Sequence, residues 1–185
     1  MKVLSVKAPW AYYLAAGIKD VENRSWNTSY RGPFAIHASG DPIRSLVAPN
    51  DSRLPLWSDY FKIVDAKSGE IKKERSKYWI HEKGRVVFSK EFFGIPALER
   101  EFALFDWCMQ RLRANLAPMP TQAIIGTANL VDVVRDSKSP WSEVGRYHWI
   151  IENPCLFAKP VLEIKGALGL WSYEGSLPTL KEVKL

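Results

Sequence analysis

Short segments in which apolar and polar residues alternate lie at both ends of the chain and predict β-strands there. A turn at residues 30–33 separates the segments 19–26 and 34–38, which are predicted to pair as a hairpin. Gly126 lies inside the longest segment and predicts a bent or bulged strand. The predicted strands are 2–6, 19–26, 34–38, 86–88, 123–134, 147–152, 160–164 and 168–173. Because strands come from both ends of the chain, we expect a small barrel whose first and last strands are neighbours.

Two other segments have the spacing of helices that pack on one face. In the first, Pro9 suits the opening turn and Gly17 the end of a short helix, with Trp10 on its apolar face. The second, residues 97–116, carries an apolar residue at every third or fourth position until Pro118 stops it. We interpret this stripe as core packing. The whole pattern predicts an α+β fold, in which a small β-barrel is flanked by helices.

The middle of the chain differs from both ends. Residues 40–117 have a weaker strand periodicity, many charges and several proline, serine and aspartate breakers. We interpret them as a helix-containing insertion within one domain that spans residues 1–185, because the strands on both sides need each other. Their basic stretch 67–77 predicts a solvated turn or a hairpin tip.

The composition favours a soluble globular chain with a basic surface. Of the 185 residues 46% are hydrophobic and 25% charged, which excludes a largely disordered chain. The formal net charge is +6, and aromatic residues make up 12%, among them eight tryptophans. Positive charge together with flat aromatic surface favours a polyanion that carries stackable bases as the partner.

The sequence predicts no membrane helix, no cysteine framework, no metal centre and no cofactor site. The longest uncharged run, residues 114–131, is interrupted by prolines and polar residues, so no membrane helix is predicted. Cys108 and Cys155 form no paired motif, which favours the reducing cytoplasm. The three histidines lie far apart and no glycine-rich nucleotide motif occurs, so we expect neither a metal centre nor a cofactor.

One ordered set of motifs lies near the start of the chain. A proline and a tryptophan open the short helix, the pattern G-x-K-x-x-E-x-R follows, and an Arg-Gly pair precedes a strand that ends near a histidine. The residues are Pro9, Trp10, Gly17, Lys19, Glu22, Arg24, Arg31, Gly32 and His37. With the downstream segments 123–134, 147–154 and 165–171, the chain resembles the ASCH (ASC-1 homology) domain, a relative of the PUA fold. The resemblance implies a PUA-like barrel and does not cover the middle of the chain.

The G-x-K-x-x-E-x-R segment is predicted to place charges and a ring on one face of a strand. Strand alternation points Glu22, Arg24 and Trp26 the same way. Glu22 is expected to pair with Lys19 or Arg24 and to hold a cation beside a cleft, where an arginine can grip phosphate with two hydrogen bonds. The alternative is a structural ion pair between Glu22 and Arg24 that ties the hairpin to the barrel.

Further side chains are predicted to extend this surface. Trp10 and Trp26 are candidates for stacking on an unpaired base, worth about 1–3 kcal/mol per base. Trp10 also fits the core, because it shares the apolar face of its helix. Arg31 and Lys165 would extend the positive rim, whereas His37 is interpreted as a satisfied core or edge histidine. Three more candidates rest only on their positions at strand ends: Ser39, Tyr147 and His148.

The resemblance implies two classes of activity. Many ASCH domains are similar to nucleic-acid-binding modules, whereas some relatives are hydrolases that deacylate an acetylated cytidine or cleave RNA. For hydrolysis Lys19 and Glu22 are the candidate catalytic residues. However, Glu22 stands where the deacylating subgroup has a threonine hydroxyl, and this disfavours that reaction.

We therefore predict a protein that binds single-stranded RNA, or a modified nucleotide, in a basic cleft beside the barrel. One alternative is an RNA-processing hydrolase that uses the same cleft. A second is an adaptor in which residues 51–83 dock a protein partner. Salt-dependent RNA binding separates the first prediction from the adaptor, because phosphate contacts release counterions.

Overall fold

The computed structural model describes residues 1–41, 79–82, 85–88 and 96–178. The predicted turn at 67–77 and most of the segment 51–83, with its predicted partner, lie outside these residues. In chain order the elements are β1 (Lys2–Lys7), α1 (Trp10–Ala15), β2 (Val21–Arg24), β3 (Gly32–Ser39), β4 (Trp79–Glu82), β5 (Arg85–Phe88), α2 (Pro96–Arg113), β6 (Ala123–Val134), β7 (Tyr147–Val161) and β8 (Leu170–Ser172).

Six of the strands form one mixed sheet in the order β2-β7-β6-β3-β1-β8. Strands β1 and β3 are parallel, and every other neighbouring pair is antiparallel. A parallel pair needs a crossover connection, and here the connection contains α1 and β2. Strand β8 pairs with β1, so the prediction that the first and last strands are neighbours is confirmed. The predicted α+β class, a small curled sheet with helices, is confirmed as well.

The predicted hairpin between the segments 19–26 and 34–38 is wrong. Strand β2 pairs with β7, with Val21 opposite Ile150, while β3 lies between β6 and β1. Alternation and a turn signal locate two strands, but they do not reveal which neighbour each strand will find. For the same reason the segments 147–152 and 160–164 are parts of one long strand, β7.

The bulge predicted at Gly126 is confirmed. The register between β6 and β7 shifts between Ile124 and Gly126. A Cβ atom at Gly126 would overlap the carbonyl oxygen of Cys155 on β7. The missing side chain therefore allows the two strands to approach closely at this point.

Helix α1 sets the position of the segment that follows it. It buries the side chains of residues 11–15 and contacts β1, β3, β6 and β7. The Tyr12 hydroxyl donates to the Pro120 carbonyl oxygen at 2.5 Å, which anchors the helix at the start of β6. The backbone N–H of Ile151 donates to the Asp20 carbonyl oxygen at 2.9 Å. The turn between α1 and β2 is thus fixed at both of its ends.

The chain divides into two compact units: Met1–Ile43 together with Met119–Leu185, and Arg44–Pro118. The first unit holds the six-stranded sheet and α1, and the second holds β4, β5 and α2. The interpretation of residues 40–117 as an insertion within one domain stays a prediction.

Helix α2 is amphipathic as predicted, but the predicted stripe, which includes Leu98, Phe102 and Phe105, is not its most buried face throughout. Leu98, Leu104 and Cys108 are buried, whereas Phe102 and Phe105 are half-buried. The apolar residues cover a wide sector of this helix, so spacing alone does not select the most buried side. Within the part of the chain that the structure describes, no helix combines the length and the apolar character needed to cross a membrane.

Candidate functional site

Lys19, Glu22 and Arg24 form one cluster of ion pairs, called here the Arg24 cluster. Lys19 Nζ lies 2.7 Å from Glu22 Oε2, and Arg24 Nη2 lies 3.2 Å from Glu22 Oε1. Gly17 ends α1 with a φ of 72°, and the Lys19 N–H then donates to the Tyr13 carbonyl oxygen at 3.0 Å. This turn brings the lysine to the start of β2. Glu22 was expected to pair with one cation, and it pairs with both.

The Arg24 cluster is mostly removed from solvent. Lys19 is 5% exposed and Glu22 is 7% exposed, whereas the Arg24 side chain keeps 22% of its surface. A buried carboxylate that contacts two cationic side chains holds both of them in place. The outermost part of the cluster is therefore the guanidinium, and Lys19 is committed as a donor to Glu22.

Arg24 also joins two strands that are not neighbours in the sheet. Its Nη2 donates to the Ser5 carbonyl oxygen of β1 at 2.7 Å, although three strands lie between β1 and β2 in the sheet order. The contact requires a curled sheet. Arg24 Nε is buried and has no hydrogen-bond partner among the described residues. A buried donor without a partner costs free energy, and a ligand acceptor would remove that cost.

The two tryptophans predicted to stack lie in aromatic clusters of the protein. Trp10 packs edge-to-face against Tyr13 and Trp141, with ring centroids 5.6 and 6.2 Å apart. Trp26 packs edge-to-face against Trp149, with centroids 4.7 Å apart. Both Trp10 and Trp26 keep part of their surface exposed. Because β2 ends at Arg24, strand alternation does not extend to Trp26.

Arg31 lies outside the Arg24 cluster and has a carboxylate partner of its own. Its Nη2 lies 3.0 Å from Asp132 Oδ1, and its Nη1 donates to the carbonyl oxygens of Thr28 and Tyr30. The backbone N–H of Val133 and, after it, Arg31 lower the pKa of Asp132 below its usual range. Arg31 is exposed, but Asp132 neutralises its charge.

Lys165 lies at an open cavity of about 600 Å³, called here the His37 cavity. Ser5, His37, Ser39 and Gly166 are among the other residues that line it. Ser5 connects the two sites, because its carbonyl oxygen accepts from Arg24 while its hydroxyl donates to the Ala167 carbonyl oxygen at 3.0 Å.

His37 is 1% exposed and has one ring nitrogen paired. Nε2 lies 2.8 Å from the Ile164 carbonyl oxygen, and because a carbonyl only accepts, Nε2 carries the hydrogen. Nδ1 is then an acceptor, buried and without a partner in the described part of the chain. Burial lowers the pKa of His37, and the bond to Ile164 opposes this only in part. The interpretation of His37 as a satisfied histidine is correct for Nε2 and wrong for Nδ1.

The remaining positional candidates have different environments. Ser39 lines the His37 cavity. The Arg135 guanidinium lies over the Tyr147 ring, with its Cζ atom 4.0 Å from the ring centroid. In His148, Nδ1 accepts from the Ser137 N–H at 3.2 Å and Nε2 lies 2.9 Å from the Glu143 carbonyl oxygen. His148 is thus held in place by the protein itself.

The family model for the ASCH domain matches residues 4–173. The chain belongs to the ASCH domain family. Its six-stranded curled sheet agrees with the PUA-like superfamily to which ASCH domains belong, so the predicted family and fold are confirmed. Membership of the ASCH family indicates an interaction with nucleic acid in general. A search of curated proteins found no match.

Three residues of the G-x-K-x-x-E-x-R pattern form the Arg24 cluster, as predicted from the sequence. The His37 cavity was not predicted. Lys19, Glu22 and Arg24 come from one short segment, so local spacing could reveal them. Ser5 and Gly166 meet from opposite ends of the chain, where no local spacing connects them. The sequence did single out His37, Ser39 and Lys165, which line the cavity, but not that they come together.

Proposed function

We propose that this ASCH protein binds single-stranded nucleic acid, RNA in the first place, and that Arg24 contacts a phosphate. The observation that carries the proposal is that the Arg24 guanidinium is held in a fixed position and remains partly exposed. Glu22 and Ser5 hold its Nη2, its Nε has no partner in the described chain, and the side chain is partly exposed. A fixed guanidinium that keeps part of its surface exposed suits a phosphate oxygen, because charge-assisted hydrogen bonds are short and strong.

The charge of the chain supports the same proposal. The formal net charge of +6 attracts a polyanion over distances longer than a hydrogen bond. Lys19 does not add a second phosphate contact, because it is buried and donates to Glu22. Its role in the proposal is to balance Glu22, so that the carboxylate does not cancel Arg24.

An unpaired strand suits this surface better than a duplex. Trp26 follows Arg24 by two residues and is partly exposed, and Trp149 packs against it edge-to-face. Stacking of a base on such a ring requires that the base is not already stacked within a helix. We therefore assign Trp26 the role of a stacking platform beside the phosphate that Arg24 binds.

The proposal is tested by fluorescence anisotropy with a labelled single-stranded RNA of about ten nucleotides, titrated at several salt concentrations. Wild type should bind with an affinity that falls linearly on a log–log salt plot. Arg24→Ala should weaken binding and reduce the magnitude of the slope by about 0.7, the value for one phosphate contact on a single strand. Lys159→Ala removes an exposed charge from β7 and serves as the matched control. Equal slopes for both variants would contradict the proposal.

The hydrolase and adaptor alternatives remain predictions of the sequence, and the same samples test them. Cleavage of the labelled RNA by wild type but not by Lys19→Ala would favour the hydrolase. Absence of RNA binding at low salt would favour the adaptor. A duplex of the same sequence that binds as tightly as the single strand would remove the role given to Trp26.

A further inference from the structure

The His37 cavity has the size and the chemistry of a small-molecule site. Its volume of about 600 Å³ lies within the range of about 300–1,000 Å³ that is typical of ligand pockets. It lies entirely in the unit that contains the six-stranded sheet. Two of its lining residues, Gln122 and Glu163, have φ values of 53° and 61°, a backbone conformation that side chains disfavour and that is frequent at binding sites.

The inner end of the cavity presents a hydrogen-bond acceptor. His37 Nε2 is committed as a donor to Ile164, so Nδ1 presents its lone pair and has no partner among the described residues. The lowered pKa of His37 keeps the ring neutral and this lone pair available near neutral pH. A ligand N–H group would satisfy the atom, because a neutral ring nitrogen without hydrogen only accepts.

Gly166 packs directly against the ring edge that carries this acceptor, where only a hydrogen atom fits. A Cβ atom at position 166 would lie 2.8 Å from His37 Nδ1 and 2.9 Å from Ser5 Oγ. Both distances are shorter than ordinary van der Waals contact, so a side chain there would close over the ring edge. The Ser5 hydroxyl is held by Trp171 and Ala167, whereas Nδ1 has no partner in the part of the chain that the structure describes.

The mouth of the cavity combines a cation with an apolar surface. Lys165 is exposed, and Leu168 is 98% exposed on the same short loop. The leucine side chain offers apolar contact to a ring that enters the cavity, and a lysine suits a phosphate as a point charge. A ligand that matches all three groups has an N–H-bearing planar ring and a phosphate.

We propose that the His37 cavity binds one nucleobase of an unpaired nucleotide, with a base N–H donating to His37 Nδ1 and the adjoining phosphate at Lys165. This inference rests on the proposed function and names a second subsite of it. Ser5 joins the two subsites, because its carbonyl oxygen contacts Arg24 and its hydroxyl lines the cavity. The base can come from a free nucleotide or from an RNA strand, and the test separates the two sources.

The first experiment follows the His37 Nδ1 resonance by NMR in isotope-labelled protein. The chain has three histidines, so a His37→Gln variant is enough to assign the signal. Adenosine, cytidine, guanosine and uridine monophosphates and ribose phosphate, which lacks a base, are titrated in turn. At least one nucleotide should shift the signal to saturation, and ribose phosphate should leave it unchanged. A signal that none of the nucleotides moves, or that ribose phosphate moves equally, would overturn the proposal.

The second experiment uses variants. Gly166→Ala should weaken nucleotide binding about tenfold, as expected for the loss of one buried hydrogen bond, whereas Lys159→Ala should bind as wild type does. If Gly166→Ala does not fold, Lys165→Ala provides an independent test of the pocket. It should lose affinity for the monophosphate and keep its affinity for the nucleoside. Equal monophosphate binding by Lys165→Ala and wild type would count against the pocket.

A third measurement separates this inference from the proposed function. A single-stranded RNA is compared with copies that lack one base at successive positions. If binding depends on Arg24 but no missing base and no Gly166→Ala substitution changes it, the pocket is refuted and the proposed function stands. If free nucleotides shift His37 but RNA does not bind, the pocket holds free nucleotides and the proposed function is refuted.

Discussion

Arg24 Nη2 in β2 donates to the Ser5 carbonyl oxygen in β1 at 2.7 Å, across the side of the barrel where these two strands do not pair. The same nitrogen lies 3.2 Å from Glu22. One guanidinium therefore joins two strands that do not pair in the curled sheet. Substitution of Arg24 is expected to affect stability as well as binding, so affinities of its variants have to be measured per folded molecule.

Glu22 should matter more to stability than Lys19 does. Glu22→Ala leaves the buried Lys19 ammonium without its carboxylate and should lower the free energy of unfolding by about 3–5 kcal/mol. Lys19→Met keeps the apolar stem, and Glu22 still has Arg24, so its loss should be smaller. Urea unfolding with unchanged m-values measures both. The same loss in both variants would mean that Arg24 does not support Glu22.

Removal of Asp132 should strengthen RNA binding if Arg31 belongs to the binding surface. Asp132 holds Arg31 at 3.0 Å and neutralises it, so Asp132→Ala would leave the guanidinium available to a phosphate. The expected result is a higher affinity and a salt slope steeper by about 0.7. Asp136→Ala removes a nearby exposed carboxylate as the control. If both variants bind RNA alike, only the net charge has mattered.

Stability should decrease as the pH falls below 6.5, and His37 should account for part of this decrease. The pKa of His37 is lowered from 6.5 in the folded protein by burial, so the unfolded state binds more protons below this pH. The free energy of unfolding then falls until the pH reaches the folded pKa, where the contribution levels off. Urea unfolding of wild type and His37→Gln across this range measures it. Because His148 and His81 are kept in both proteins, parallel pH profiles would exclude the contribution of His37.

A side chain at Gly126 should destabilise the sheet. A Cβ atom there would overlap the backbone oxygen of Cys155, and backbone atoms do not move aside as a flexible side chain does. Gly126→Ala is expected to cost about 1–3 kcal/mol of unfolding free energy, the usual cost of overpacking. Val131→Ala, at an exposed position of the same strand, should change little. Thermal unfolding of the two variants compares them, and an unaffected Gly126→Ala would show that β6 and β7 can separate here.

The features predicted correctly from the sequence are those in which neighbouring residues determine the outcome. The glycine at 126 predicted its bulge, and the short spacing of Lys19, Glu22 and Arg24 predicted their association. The partner of β2 could not be predicted, since its apolar neighbour on β7 comes from more than a hundred residues away. The unpaired Nδ1 of His37 depends in the same way on a distant segment, because Ile164 decides which ring nitrogen is used.

Ala38 and Ala123 stand opposite each other in adjacent antiparallel strands, so the chain leaves the sheet and re-enters it at the same place. We propose that the unit Arg44–Pro118 is an insertion in an enlarged hairpin loop between β3 and β6. The entropy of closing such a loop grows only slowly with its length. Homologues could then shorten, exchange or lose this insertion while every strand of the six-stranded sheet kept its neighbours.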